Sequence, residues 1–121
     1  SSVANDDNII SLSSNNNNDN KVLFKFDGTE ISLGVRASST TRYKTQSYEN
    51  GKNIKGCVKW SGTSFEAFVN GVSIGSETLN SVISQDEFNI LTFRYALTSS
   101  PFYGRIRQLK HLPYNTDISK L

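Results

Sequence analysis

The chain has little of the chemistry that most enzymes and metal sites use. Its 121 residues include one cysteine, one histidine, two prolines and no methionine. Cys57 has no partner for an intrachain disulfide, and a zinc site would lack ligands. Because methionine is absent, we expect the sequence to be a fragment, a processed product or a trimmed chain. No apolar run approaches the roughly 18 residues of a membrane-spanning helix, so no membrane insertion is expected.

Charge is sparse and nearly balanced. Thirteen Lys and Arg residues stand against eleven Asp and Glu residues, which gives a formal net charge of +2 at pH 7. No basic run is long enough to indicate a nucleic-acid partner. Ser, Thr and Asn contribute 18, 9 and 13 residues, 40 in all. This composition suits polar-faced strands joined by turns, and it argues against helix bundles.

The strongest local signal lies between Lys59 and Gly75, KWSGTSFEAFVNGVSIG. Ser61-Gly62 and Asn70-Gly71 both read as hairpin corners, and Asn-Gly is the stronger because both residues tolerate the positive φ of a type I′ turn. The pattern predicts three strands, one that ends at Trp60, one over Ser64–Val69 and one over Val72–Ile74.

Alternating apolar positions predict strands along the rest of the chain. These predicted strands are Asn8–Ser13, Lys21–Asp27, Glu30–Arg36, Arg42–Tyr48, Asn53–Trp60, Phe88–Tyr95 and Gly104–Leu112. Polar stretches predict loops at Ser13–Asn20, Ser38–Thr41, Leu79–Glu87 and Leu97–Phe102. About nine short strands with frequent turn signals indicate an all-β, antiparallel β-sandwich or jelly roll. We expect one domain over residues 1–121, with residues 1–7 as a tail or an edge segment.

The order of these segments resembles the concanavalin A-like, or laminin-G-like, jelly-roll superfamily. The matching pieces are Lys59–Gly62, Phe65–Gly71, Val72–Gly75, Phe88–Phe93 and Phe102–Pro113. The last piece is similar to the G-x-I-x-x-L-x-x-x-P ending of modules in bacteriophage tail fibres and other virion proteins. The resemblance covers roughly residues 8–121 and implies a concanavalin A-like jelly roll. Family domains usually have a further strand before Asn8–Ser13, so this chain is expected to lack a first strand.

The resemblance implies a non-catalytic module of a virion or phage appendage, such as a tail fibre, that binds host-surface carbohydrate. Its location would be the virion surface or another extracellular site. An open sheet edge invites pairing with another chain, so a homo-oligomer such as a trimer, or a complex with other virion proteins, is expected. Two alternatives stay open: a purely structural capsid-decorating or fibre-trimerising domain, and a secreted cellular glycan-binding module.

Sugar sites combine flat aromatic faces with planar polar groups that bond to hydroxyls. Trp60 precedes a hairpin signal and is expected to be a buried core anchor instead. The residues predicted to contact a glycan are Tyr43, Tyr48, Arg94, Tyr103 and Arg105.

Neither catalysis nor a required cofactor is expected. A glycosidase on this fold needs two carboxylates about 5–9 Å apart, but Glu66 stands alone and neighbours such as Asp86-Glu87 would point to opposite faces. Calcium needs several oxygen ligands, which the stretches Asn5–Asn8 and Asn15–Asn20 could supply. Calcium is therefore kept as a minor alternative.

Overall fold

The computed structural model describes residues 8–13, 20–26, 29–49, 52–83, 88, 90–92, 108, 110 and 117. Within these residues the chain is all-β, and every strand pairing is antiparallel. No described segment is a helix able to cross a membrane. The seven strands are β1 (Asn8–Ser13), β2 (Lys21–Phe26), β3 (Glu30–Ala37), β4 (Thr40–Ser47), β5 (Gly56–Val69), β6 (Val72–Ile83) and β7 (Ile90–Thr92).

The strands form two sheets. The large sheet has five strands in the order β4-β3-β2-β1-β7, and the small sheet consists of β5 and β6. Strands β1 to β4 follow one another as hairpins. The β3–β4 turn is shorter than the predicted loop Ser38–Thr41, because Ser38 and Ser39 alone make it, with φ values of 50° and 64°.

The hairpin predicted at Asn70-Gly71 is confirmed. Both residues have positive φ, 52° and 84°, and Val69 pairs directly with Val72 across the turn. The Asn70 backbone N–H donates to the Lys55 carbonyl at 2.8 Å. The Asn70 Oδ1 accepts from the Lys55 backbone N–H at 3.0 Å. These reciprocal bonds fasten the hairpin tip to the segment that leads into β5.

The corner predicted at Ser61-Gly62 is wrong. β5 runs without a break from Gly56 to Val69, and the pairing register shifts between Gly62 and Ser64 instead. Gly62 has a φ of 55° with open space around the position of a Cβ. A glycine at positive φ occurs in bulges as well as in turns. Here it lies within one continuous strand and shifts which of the following side chains face the core.

The loop predicted from Leu79 to Glu87 is also wrong over its first half. β6 extends beyond Val72–Ile74 to Ile83, and Leu79 and Ile83 are both buried. Asn80 and Ser81 made the segment look like a turn, but burial of the apolar side chains on one face outweighs weak local preference. Residues 84–87 lie outside the described part of the chain.

The core lies between the two sheets. Ile31, Leu33, Val35 and Ala37 alternate along β3 and have 0 % exposure, which confirms the facing predicted for the first three. They form one cluster with side chains of the small sheet, namely Val58, Phe65, Ala67, Val69, Leu79 and Ile83.

Trp60 lies at the margin of this core and is only partly buried. Its ring meets Phe88 edge to face, with centroids 5.7 Å apart and planes at 74°. The prediction of a buried core anchor is therefore wrong in degree, although Trp60 does pack against the core.

The second face of the large sheet is also covered along β1 and β2. The register confirms that Lys21 and Leu23 face away from Val22. Both are nevertheless fully buried, and so are Ser11 and Ser13 opposite them. Along β1 and β2 this sheet therefore lacks the solvated face that often accompanies antiparallel strands.

The expected open edge at β1 is filled over part of its length. In the described residues β1 pairs with β2 on one side and, over Ser11–Ser13, with β7 on the other. Of the strand predicted over Phe88–Tyr95, Ile90–Thr92 is observed. Gln108 and Lys110 lie in no strand. The rest of Gly104–Leu112, together with residues 1–7, lies outside the described chain.

Replacement of Leu79 tests the corrected course of β6. We expect Leu79→Ala to lower the free energy of unfolding by about 2–5 kcal/mol, because it leaves a cavity in the core. Val82 lies on the same strand with 62 % exposure, and Val82→Ala should change stability by no more than about 0.5 kcal/mol. Urea unfolding of both variants gives the comparison. Equal effects would mean that Leu79 is not a core residue.

Candidate functional site

The structure describes two of the five residues predicted to contact a glycan. Tyr43 is half-buried on β4 and faces away from the core, since it pairs with Gly34. Tyr48 follows β4 and packs against the core, and its backbone N–H donates to the Thr29 carbonyl at 2.8 Å. The two tyrosines therefore do not share one surface. The other three predicted residues, Arg94, Tyr103 and Arg105, lie outside the described part of the chain.

The Tyr43 ring already has protein contacts. Lys25 Nζ lies 5.3 Å from its centroid, a cation–π geometry. On the neighbouring strand, a Cβ added to Gly34 would come within 2.6 Å of Tyr43 Cδ1. The glycine thus lets the ring lie close against the sheet, and Lys25 occupies part of its surroundings.

An open cavity of about 560 Å³ lies where β4 meets the small sheet. Strand alternation places four of its residues on the outward face, because Phe65 between them points inward. They form two cross-strand pairs, Ser64 with Thr78 and Glu66 with Ser76. Three hydroxyls and one carboxylate therefore make a polar floor. The remaining lining residues are Arg42, Lys59, Phe65 and Glu77.

A row of polar contacts joins β4 to β6 beside this cavity, and we call it the polar seam. It consists of the ion pair between Lys44 and Glu77 at 2.7 Å, the Arg42–Asn80 hydrogen bond at 2.8 Å and the Ser38–Ser81 hydrogen bond at 3.0 Å. These contacts hold the edge strand of the large sheet against the small sheet.

The seam lowers the pKa of Glu77. The hydrogen bond from Lys44 is the main reason why the pKa of Glu77 is lowered, and the charges of Lys44 and Arg42 act in the same direction. The carboxylate is therefore ionised at neutral pH. Its partner Lys44 compensates that charge at the margin of the cavity.

The two carboxylates of the cavity are engaged, whereas Arg42 is not fully satisfied. Glu66 Oε2 accepts from Ser73 Oγ at 2.7 Å, and Glu77 binds Lys44. Arg42 donates through Nη2 to Asn80, but its Nε is buried and has no hydrogen-bond partner in the described structure. A buried donor without a partner costs about 1–3 kcal/mol. The cavity therefore retains one unmet donor.

Among the described residues, the two carboxylates of the cavity lie on opposite faces of the small sheet. Glu77 shares the inward face with Phe65, while Glu66 lies opposite Ser76 on the outward face. Burial is the main influence on the Cys57 thiol and raises its pKa, which makes it a poor nucleophile. Among the described residues no three His, Cys, Asp or Glu side chains could hold a metal ion. The calcium alternative involved the stretches Asn5–Asn8 and Asn15–Asn20. Only the last residue of each stretch, Asn8 and Asn20, lies in the described part of the chain.

Sequence reasoning missed the cavity because its residues are distant along the chain. Arg42 and Glu66 belong to different sheets, so no local spacing connects them. The hairpin at Asn70-Gly71 does place Glu66 near Ser76, but the register shift between Ala67 and Phe68 moves the partner by one residue. The turn alone therefore predicts roughly which part of β6 lies opposite Glu66, but not which residue pairs with it.

A second group of buried polar residues lies on the far face of the large sheet. Lys21 pairs with Ser13 on one side and with Arg36 on the other. Burial, with a smaller contribution from the Arg36 charge, lowers the pKa of Lys21 to about 8. Ser13 Oγ is buried and has no hydrogen-bond partner in the described structure. The protein therefore holds a lysine that loses its proton more readily than an exposed one.

The Lys44–Glu77 pair predicts a pH-dependent contribution to stability. Because the folded pKa of Glu77 lies below its ordinary 4.5, this contribution is present above about pH 4.5 and is lost as the pH falls through the lowered value. In Lys44→Gln we expect the pKa of Glu77 to rise toward 4.5, measured by NMR titration of the carboxyl carbon. Lys52→Gln, at an exposed position, is the control. An unchanged Glu77 titration in Lys44→Gln would show that the ion pair does not form.

Lys21 predicts a second rise of stability with pH, in the alkaline range. Its pKa is about 8 in the folded chain and 10.5 ordinarily, so between these values the unfolded chain binds more protons and stability rises with pH. Lys21→Met should remove this rise in urea unfolding measured across that range. Lys52→Met should keep it. A rise that persists in Lys21→Met would assign it to another group.

No protein-family model matches this chain, and no curated protein or solved structure matches it.

Proposed function

We propose that this chain is a non-catalytic carbohydrate-binding module of the jelly-roll β-sandwich type, carried on a virion or phage appendage. The observation that carries the carbohydrate assignment is the open polar cavity above the outward faces of β5 and β6. The jelly-roll assignment is supported by two antiparallel sheets that share one core.

The lining of the cavity suits a ligand that has many hydroxyl groups. Ligand pockets commonly measure roughly 300–1,000 Å³ and are mostly apolar. This cavity is within that range at about 560 Å³, but its floor consists of serine, threonine and glutamate side chains. Hydroxyls both donate and accept hydrogen bonds, and carboxylates accept them. The hydroxyl groups of a sugar supply the complementary donors and acceptors.

The placement on a virion is supported by the sequence resemblance. Phe102–Pro113 is the segment similar to the ending of modules in bacteriophage tail fibres and other virion proteins. On this basis the ligand is a host-surface glycan and the location is the virion surface. The expected trimer, or contact with other virion proteins, belongs to the same proposal, although the part of β1 that pairs with β7 is not available for it.

A glycan array followed by calorimetry tests the proposal. We expect the full chain to bind a defined set of glycans, and Ser76→Ala and Glu66→Gln each to weaken binding by about tenfold, since each removes one hydrogen-bonding group. Ser47→Ala is the matched control, because Ser47 is exposed on β4 and does not line the cavity. Tyr43→Ala separates the two candidate surfaces, and it should leave the affinity unchanged if the cavity is the site.

Each outcome leads to a different conclusion. Loss of binding in Tyr43→Ala with no effect of Ser76→Ala would move the site to the tyrosine surface. A chain that binds no glycan on the array but forms a stable trimer in light scattering would contradict carbohydrate binding. That result would favour the structural, fibre-trimerising alternative.

A further inference from the structure

We infer that the cavity selects a glycan that carries a carboxylate, with Arg42 as the residue that recognises it; this inference rests on the proposed function. A neutral sugar would need only the hydroxyl and carboxylate groups of the floor. The positive charges at the margin of the cavity, and the Arg42 Nε–H that has no acceptor, favour a ligand that also carries an anionic group.

One oxygen of each carboxylate in the cavity already has a partner within the protein. Glu77 pairs with Lys44 at 2.7 Å, and Glu66 accepts from Ser73 at the same distance. Each carboxylate is therefore already engaged by a group of the protein through one of its oxygens. An amino sugar would have to compete with contacts that already exist.

Arg42 Nε is the donor at the cavity that has no hydrogen-bond partner in the described structure. The bond from Arg42 to Asn80 fixes one end of the guanidinium, which orients the planar group beside the cavity. Its Nε is buried, has no acceptor in the described structure and belongs to a residue that lines the cavity. Guanidinium N–H groups match the two oxygens of a carboxylate in geometry as well as in charge. A small shift of the side chain on binding would bring this donor to the ligand.

The local charge agrees with an anionic ligand. Arg42 and Lys59 line the cavity and Lys44 lies at its margin, against the two carboxylates of Glu66 and Glu77. Three positive and two negative charges leave a local excess of one positive charge. Lys44 pairs with Glu77, so Arg42, Lys59 and Glu66 carry the remaining charges of the cavity.

Matched sugar probes test the inference. Methyl β-glucoside and methyl β-glucuronide differ only in the replacement of a hydroxymethyl group by a carboxylate, and the corresponding galactose pair repeats the comparison. By calorimetry or NMR titration of the full chain we expect the acidic member to bind at least tenfold more tightly. Arg42→Gln should reduce that ratio to about one, while Lys52→Gln, which removes one exposed charge elsewhere, should keep it.

A measurement on the unaltered protein guards against a variant that fails to fold. The Nε–H signal of Arg42 should shift on addition of the glucuronide and should not shift with the glucoside. If both members of each pair bind equally, or if Arg42→Gln keeps the acidic preference, the inference is overturned while carbohydrate binding stands. If no probe and no glycan on the array binds, carbohydrate binding itself fails, and the inference fails with it.

Discussion

The row of Ile31, Leu33, Val35 and Ala37 along β3 is the contact through which the two sheets are held together. Each of these side chains is fully excluded from water, and exclusion of apolar surface is the main force that favours folding. Because strand side chains alternate, this row also determines that the intervening residues face the other side. The position of β4, paired to β3 along its whole length, then follows from the same register.

The polar seam follows from that register. Arg42 and Lys44 pair with Val35 and Leu33, so they point toward the small sheet at the place where the large sheet ends. Their long side chains cannot be buried without partners, and Glu77 and Asn80 supply these partners. The cavity lies beside these contacts. An apolar row in the centre of the molecule thus sets the orientation of the charged groups at its margin.

Sequence patterns predicted the parts of the fold that depend on neighbouring residues. Asn70-Gly71 determines its turn by backbone preference alone, and the alternation in β3 determines its face. The corner predicted at Gly62 is wrong because the positive φ that glycine allows occurs both in turns between strands and in irregularities within one strand. Leu79 was misread because its burial depends on the opposite sheet. The cavity could not be predicted, because Arg42 and Glu66 meet only after the sheets have packed.

The irregularity at Gly62 marks a place where the chain can gain or lose a residue. Val58 and Phe65 both face the core although they are seven positions apart, an odd spacing that strict alternation does not allow. Loss of one residue between Gly62 and Phe65 would make the spacing even and would leave every core side chain on its side. The same loss within β3 would turn the core side chains on one side of the deletion to the opposite face of the sheet. Insertions and deletions should therefore be tolerated here far better than in β3, and this is where related chains are expected to differ in length.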